Sequence, residues 1–201
     1  MTETNTTRPL RVLIADENPT SRRFLARVVQ DSFSDATVLI ECSDTGSALE
    51  LLLPDVDLVL VDQQLPEGGA QELLRRSGAH PALKVVTTLY SDDERLFDLI
   101  RLGAAGYLLK EDRLEVQVEQ LQRIAHGEPP LSPAIARCAL AVLGSSSNTA
   151  GNIVGLEPEE SDVLNRLSRG YTMREVAGSL SLRPGSISAH IAAIYRKVRT
   201  A

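Results

Sequence analysis

Cysteine is scarce in this 201-residue chain, and the two present, Cys42 and Cys138, are far apart and lack metal-ligand spacing. A disulfide framework and a cysteine-based zinc site are thereby excluded, and both thiols read as ordinary core or half-buried residues. Long apolar runs are missing as well. No stretch approaches the roughly 18 apolar residues of a membrane span, and Met1 to Arg8 is polar, without the apolar centre of a signal peptide. The expected location is the cytoplasm, with no membrane partner. Nor is there an excess of positive charge: 21 Lys and Arg against 27 Asp and Glu leave a net −6. The deficit is uneven, because Leu156 to Ala201 carries seven basic and five acidic residues, +2, and leaves −8 for the rest. An acidic front suits cation binding and a basic tail suits nucleic acid, although solvated surfaces produce the same difference.

What the chain does have is repetition. Apolar strand-like runs recur at Leu10 to Ala15, Thr37 to Ile40, Leu58 to Val61, Lys84 to Thr88 and Ala105 to Leu109. Helical stripes separate them: Phe24, Leu25, Val28 and Val29; Ala48, Leu49, Leu51 and Leu52; Leu96, Leu99 and Ile100; Leu114, Val118, Leu121 and Ile124. Five such βα units predict an α/β fold with a doubly wound, five-stranded parallel sheet over residues 9–127. Residues 128–155 read as a linker. It holds a helix over 132–143, with Ser132 as N-cap and Pro133 at the first helical position, and a flexible Gly, Ser and Asn stretch from Gly144 to Asn152. A small all-α domain is predicted over 156–201. Glu159 to Arg169 forms one helix there, Thr172 to Ser179 a second with a Thr172/Glu175 capping box, and a third starts at Ser186 with Ile187, Ile191, Ile194 and Val198 on one stripe.

The strand ends carry the chemistry. Asp62 closes the run Leu58-Val59-Leu60-Val61, at the edge where open α/β sheets place their ligands. Taken alone it also reads as a turn Asp ahead of Pro66. The first strand ends in Asp16-Glu17, so parallel pairing gathers three carboxylates, an arrangement that suits Mg²⁺; acidic residues before a helix also complement its dipole. Thr88 and Lys110 end the fourth and fifth strands and add a hydroxyl and an ammonium. The set fits phosphoryl transfer to Asp62, while Thr88 and Lys110 singly read as packing and solvated residues.

Asp16-Glu17, Asp62 with Pro66 four residues on, Thr88, and Gly103-Ala104-Ala105-Gly106-Tyr107-Leu108-Leu109-Lys110 resemble a response-regulator receiver domain. That last string, with Ser132-Pro133 and a C-terminal helix-turn-helix, resembles the NarL/FixJ family with a LuxR-type DNA-binding domain. The resemblance implies that Asp62 accepts phosphate from a sensor histidine kinase, that Asp16, Glu17, Asp62 and the Gln64 main-chain carbonyl bind Mg²⁺, and that Lys110 pairs with the phosphate. It further implies that Thr88 and Tyr107 form a two-state switch leading to a homodimer; Tyr107 otherwise reads as strand packing. Glu17 stands where the family more often has Asp, and Ala70 where it often has Gly.

An aspartyl-phosphate phosphatase of the haloacid-dehalogenase type would need a second Asp two residues after the nucleophile. Gln64 stands there, so the chain is expected not to be an enzyme. In the C-terminal part, Ser186, Ser188, Ala189, Ala192, Arg196, Lys197 and Arg199 are the expected DNA-facing residues. Opposite the apolar stripe lie Ser188, Ala189, Ala192, Ala193, Arg196 and Arg199, three of them alanines, so base readout is expected to be weak. His190 reads as structural or as a phosphate donor. The family pattern continues into a fourth, dimer-forming helix beyond Ala201, so the resemblance is to a shortened, atypical DNA-binding domain. The alternative function is a phosphorylation-switched module that binds a protein through a degenerate helix-turn-helix.

Overall fold

Apolar runs without alternation form strands covered on both faces. Here β1 (Leu10–Ala15), β2 (Thr37–Cys42), β3 (Leu58–Asp62), β4 (Leu83–Thr88) and β5 (Gly106–Leu109) build one parallel sheet in the order β2-β1-β3-β4-β5. The structure is a computed structural model and describes residues 8–33, 37–90, 94–144 and 156–200. Every residue of β3 is buried, whereas β2 lies at the sheet edge and is mostly half-buried. That edge explains why β2 extends two residues past its apolar run. Glu41 keeps the backbone pairing with Ile14 while its side chain meets solvent.

Helices α1 (Pro19–Phe33) and α5 (Leu114–Ala125) cover one face, where Leu25, Val28, Leu121 and Ile124 join Val12, Ile14, Leu60 and Val85 in a single apolar cluster. On the other face lie α2 (Thr45–Leu51), α3 (Gly69–Arg76) and α4 (Glu94–Arg101). Side chains cap the first two of these helices. The Asn18 side chain accepts the Thr20 N–H at 2.8 Å ahead of α1, and Asp44 accepts the Ser47 N–H at 2.7 Å ahead of α2. Since the strand order reverses between β1 and β3, the crevice beyond their C-terminal ends is the place where such sheets bind ligands.

After the sheet come α6 (Pro133–Gly144), α7 (Pro158–Ser168), α8 (Met173–Ser179) and α9 (Pro184–Thr200). Ser132 Oγ accepts the Ile135 N–H at 3.2 Å and Thr172 forms the capping box with Glu175, both as expected. Helix α9 begins two residues before Ser186, because proline suits a first turn. The Gly, Ser and Asn stretch expected to be flexible falls on 145–155, outside the described residues. Helices α6 and α9 pack against α4, and the apolar cluster on that side runs unbroken from Leu13 and Val86 through Phe97 to Ile135, Ile187 and Val198.

Candidate phosphoacceptor site and DNA-binding face

Strand register brings the expected residues together. Ala15 pairs with Val61 and Asp62 with Thr87, and the Lys110 N–H extends the β5 ladder to the Thr88 carbonyl at 2.8 Å. Asp16, Asp62, Thr88 and Lys110 therefore meet at one edge. Lys110 Nζ lies 2.7 Å from Asp16 Oδ2 and 3.0 Å from Asp62 Oδ1, a single ammonium between two buried carboxylates. Without it, burial of two like charges would be strongly unfavourable. Asp16 is held on every side: its Oδ1 accepts the Asn18 N–H at 2.9 Å, and its Oδ2 accepts the Ser21 hydroxyl at 2.5 Å.

Glu17 differs from its neighbours. Its side chain is exposed, and among the described residues no three His, Cys, Asp or Glu side chains converge on one point. The convergent carboxylates are two, Asp16 and Asp62. Mg²⁺ is commonly bound by one or two carboxylates with waters and oxygen donors, so this set fits that ion. Sequence reasoning missed Arg22, whose Nη1 donates to the carbonyls of Asp16 (2.7 Å) and Glu17 (3.2 Å) while Nε pairs with Glu41 at 3.1 Å. An arginine one turn into the helix after an acidic pair is a weak signal without the tertiary pairing to Glu41. It missed Gln117 too. This α5 residue is almost fully buried and donates from Nε2 to the Asp112 carbonyl at 3.0 Å, bracing the turn that follows Lys110.

The loop after Asp62 is shaped by backbone conformation. Glu67, Gly68 and Gly69 all have positive φ (67°, 108° and 66°), and a Cβ on Gly69 would lie 2.6 Å from the Gln63 carbonyl oxygen. Only glycine lets α3 start so close to the end of β3. Asp62, Gln63, Gln64, Thr88, Tyr90 and Lys110 line a small cavity of about 40 Å³. Thr88 is buried and donates its hydroxyl to Gln63 Oε1.

Tyr107 is buried in β5, and Tyr195 of α9 is buried in the same apolar cluster. Tyr195 donates its hydroxyl to the Pro130 carbonyl at 2.5 Å; burial, with Tyr107 adding to the effect, holds its phenol well above the ordinary range. Arg199 Nη2 donates to the Ala104 carbonyl at 2.7 Å, and Ser188 Oγ donates to Glu128 Oε2 at 3.4 Å. Lys84, buried nearby, donates to the His80 carbonyl; burial and then the Arg199 charge lower its affinity for a proton.

These contacts correct part of the expected DNA face. Ser188, Lys197 and Arg199 are engaged within the protein: Ser188 with Glu128 of the connector, Arg199 with the Ala104 carbonyl of the sheet domain, and Lys197 with Glu160 at 2.5 Å. The reason is the same for the first two. They lie on one flank of the apolar stripe, which α9 turns toward Glu128 and Ala104, while the side directly opposite the stripe stays open. Ala189 and Arg196 remain exposed, while Ser186 and Ala192 are half-covered. The apolar stripe itself is buried as expected, with Ile187, Ile191, Ile194 and Val198 at most 2% exposed. His190 Nε2 lies 3.4 Å from Glu159 Oε2. Glu160 belongs to the scaffold of the helix-turn-helix. It is buried, accepts the Glu157 N–H at 2.8 Å as a capping-box partner, and anchors Lys197.

A five-stranded parallel sheet with a buried carboxylate and lysine at its C-terminal edge, followed by a helix-turn-helix, defines a response regulator that acts through DNA. Residues 12–122 match the response regulator receiver domain family and residues 155–201 match the luxR family of bacterial regulatory proteins. The chain belongs to the response regulator receiver family, in its NarL/FixJ branch with a LuxR-type helix-turn-helix, and regulates transcription. It is 28% identical over 197 residues to the glycerol metabolism activator of Pseudomonas putida, covering 94% of this chain and 89% of that one. It is 27% identical over 195 residues to the nitrate/nitrite response regulator protein NarL of Escherichia coli K12, covering 95% and 90%. Among solved structures, the response regulator ChrA of a heme-sensing two-component system matches with a TM-score of 0.51 and 26% identity over 95% of this chain and 90% of that one. RcsB of Salmonella enterica serovar Typhimurium shares the fold, with a TM-score of 0.56 and 20% identity over 94% and 91%. Among the described residues no helix is long and apolar enough to cross a membrane.

Proposed function

We propose that Asp62 accepts a phosphoryl group from a phosphohistidine of a sensor kinase, and that this event controls access of the α8–α9 helix-turn-helix to DNA. The observation that carries the reading is the Lys110 ammonium held between Asp16 and Asp62. An Asp62 oxygen attacks phosphorus, the P–N bond breaks, and the imidazole departs. Lys110 then pairs with the phosphoryl oxygens, and the Thr88 hydroxyl turns to them as a donor. Asp16, Asp62 and the Gln64 carbonyl, with Glu17 reaching in through water, would hold Mg²⁺; when bound, that ion neutralises charge on the phosphoryl group.

The output follows from what α9 touches. Ser188 and Tyr195 bond to the connector at Glu128 and Pro130, and Arg199 bonds to the sheet domain at Ala104, so one flank of α9 is covered while they stay there. Phosphorylation replaces the single negative charge of Asp62 with a phosphoryl group of about −1.5 to −2 and biases Thr88 and Tyr107, and Tyr107 shares one apolar cluster with Tyr195. Loss of that contact uncovers α9 for DNA and for a second copy of the chain, giving a homodimer on DNA. The protein works in the cytoplasm and turns over no external substrate.

Acetyl phosphate labelling in Mg²⁺, followed by DNA binding across a salt series, tests the whole reading. Wild type is expected to label and to bind more tightly after labelling, and Asp62→Asn to do neither. Stoichiometric labelling of Asp62→Asn would refute the site, and unchanged DNA affinity on labelling would refute the output.

A further inference from the structure

Thr88 has one hydroxyl proton, and in the resting protein it is committed. Thr88 Oγ1 donates to Gln63 Oε1, with the Tyr90 carbonyl a longer second acceptor at 3.4 Å, and accepts the Tyr90 N–H at 3.2 Å, so its donor capacity is in use before any phosphoryl group arrives. Gln63 is well placed to hold that proton because its backbone is fixed from two sides. Its N–H donates to the Thr87 carbonyl at 2.9 Å, and its own carbonyl packs against Gly69, where a Cβ would approach to 2.6 Å. The Gln63 side chain thus leaves a rigid backbone beside Asp62 and ends on the switch hydroxyl, with both residues lining the cavity over the phosphoacceptor.

We propose that Gln63 is a positioning residue for the switch: its amide oxygen holds the Thr88 proton in reserve and sets how strongly Asp62 must be occupied before Thr88 responds. This rests on Asp62 being the phosphoacceptor. Activation exchanges the Gln63–Thr88 hydrogen bond for a charge-assisted bond from Thr88 to a phosphoryl oxygen. The exchange is favourable by the difference between the two bonds, not by the whole of the new one. An amide at this position therefore raises the activation threshold, and an apolar side chain of the same length lowers it.

The test is a beryllofluoride titration in Mg²⁺ of the full chain, comparing wild type with Gln63→Met, read by the Thr88 γ-methyl resonance in NMR. Gln63→Met is expected to shift that resonance in the resting protein and to lower the beryllofluoride midpoint by about three- to tenfold, the size of one net neutral hydrogen bond. In a Thr88→Val background the same substitution is expected to leave the midpoint, read at the Tyr107 ring resonances, unchanged. An unaltered resting Thr88 resonance, an unaltered midpoint, or an equal shift persisting in Thr88→Val would each overturn the role of Gln63. A beryllofluoride response that survives Asp62→Asn would overturn the phosphoacceptor reading, and the proposal with it; that arm separates the two failures.

Discussion

Arg199, near the end of the last helix, donates a hydrogen bond across the molecule to the carbonyl oxygen of Ala104, the residue that leads into β5. The acceptor is main chain, so no substitution at position 104 that keeps the fold removes it, and the arginine alone controls the contact. Arg199→Ala is expected to weaken the closed arrangement by about 1 kcal/mol, the net worth of one such bond, which is roughly a fivefold change in the closed-to-open ratio. Small-angle scattering should show a larger radius of gyration without phosphorylation. An unchanged radius would mean that this contact does not hold the two parts together.

Tyr195 should be visible in an alkaline titration. Its phenol is held above the ordinary value of 10.0 by burial and by Tyr107, so the closed arrangement binds the proton more tightly than the open one. The corresponding stability is fully present below pH 10 and is lost as pH rises through the raised value. Of the chain's four tyrosines, the last to gain tyrosinate absorbance should disappear in Tyr195→Phe. A variant whose late component persists would assign it to another ring.

Removing the shared ammonium should make the site dependent on metal. Lys110→Ala leaves Asp16 and Asp62 facing each other without their cation, and is expected to cost about 3 kcal/mol in metal-free buffer. Mg²⁺ should restore part of that loss. Thermal melting with and without Mg²⁺ should therefore give a larger stabilisation in the variant than in wild type; equal shifts would argue that Lys110 does not offset the two carboxylates.

Gly69→Ala joins strain to a clash. A left-handed φ costs an alanine about 1–3 kcal/mol, and the new Cβ meets the Gln63 carbonyl at 2.6 Å. The denaturant midpoint is expected to fall, and acetyl phosphate labelling of Asp62 to slow, because the backbone on the far side of the phosphoacceptor must shift. Normal labelling with a lowered midpoint would restrict Gly69 to stability.

Sheet, strand ends and caps were legible because they are local. Continuous aliphatic runs read as doubly covered strands, Asp62 and Lys110 fall at strand ends by counting, and Thr172 and Glu175 are three residues apart. The parts that were not legible depend on partners far along the chain. Lys197 reads as a phosphate contact until Glu160, 37 residues earlier, is seen beneath it. Tyr195 carries no motif, and its importance appears only when α9 lies against Pro130 and Tyr107. The helical wheel of α9 alone groups Ser188 and Arg199 with Ala189 and Arg196, and only tertiary packing separates the engaged flank from the open side. Gln63 follows a far more informative neighbour, and no period or spacing distinguishes it from a solvated glutamine.

The apolar cluster that runs from Leu13 in the sheet to Val198 in α9 joins the sheet and helical domains into one apolar unit. Any signal that parts α9 from α4 divides that unit into two smaller ones, each with less buried surface per residue. On the proposed mechanism the signalling state is in this sense a thermodynamically poorer protein than the silent one. Its lifetime depends on whatever re-covers the exposed flank, so the duration of the signal is tied to occupancy of the target as well as to the chemistry at Asp62.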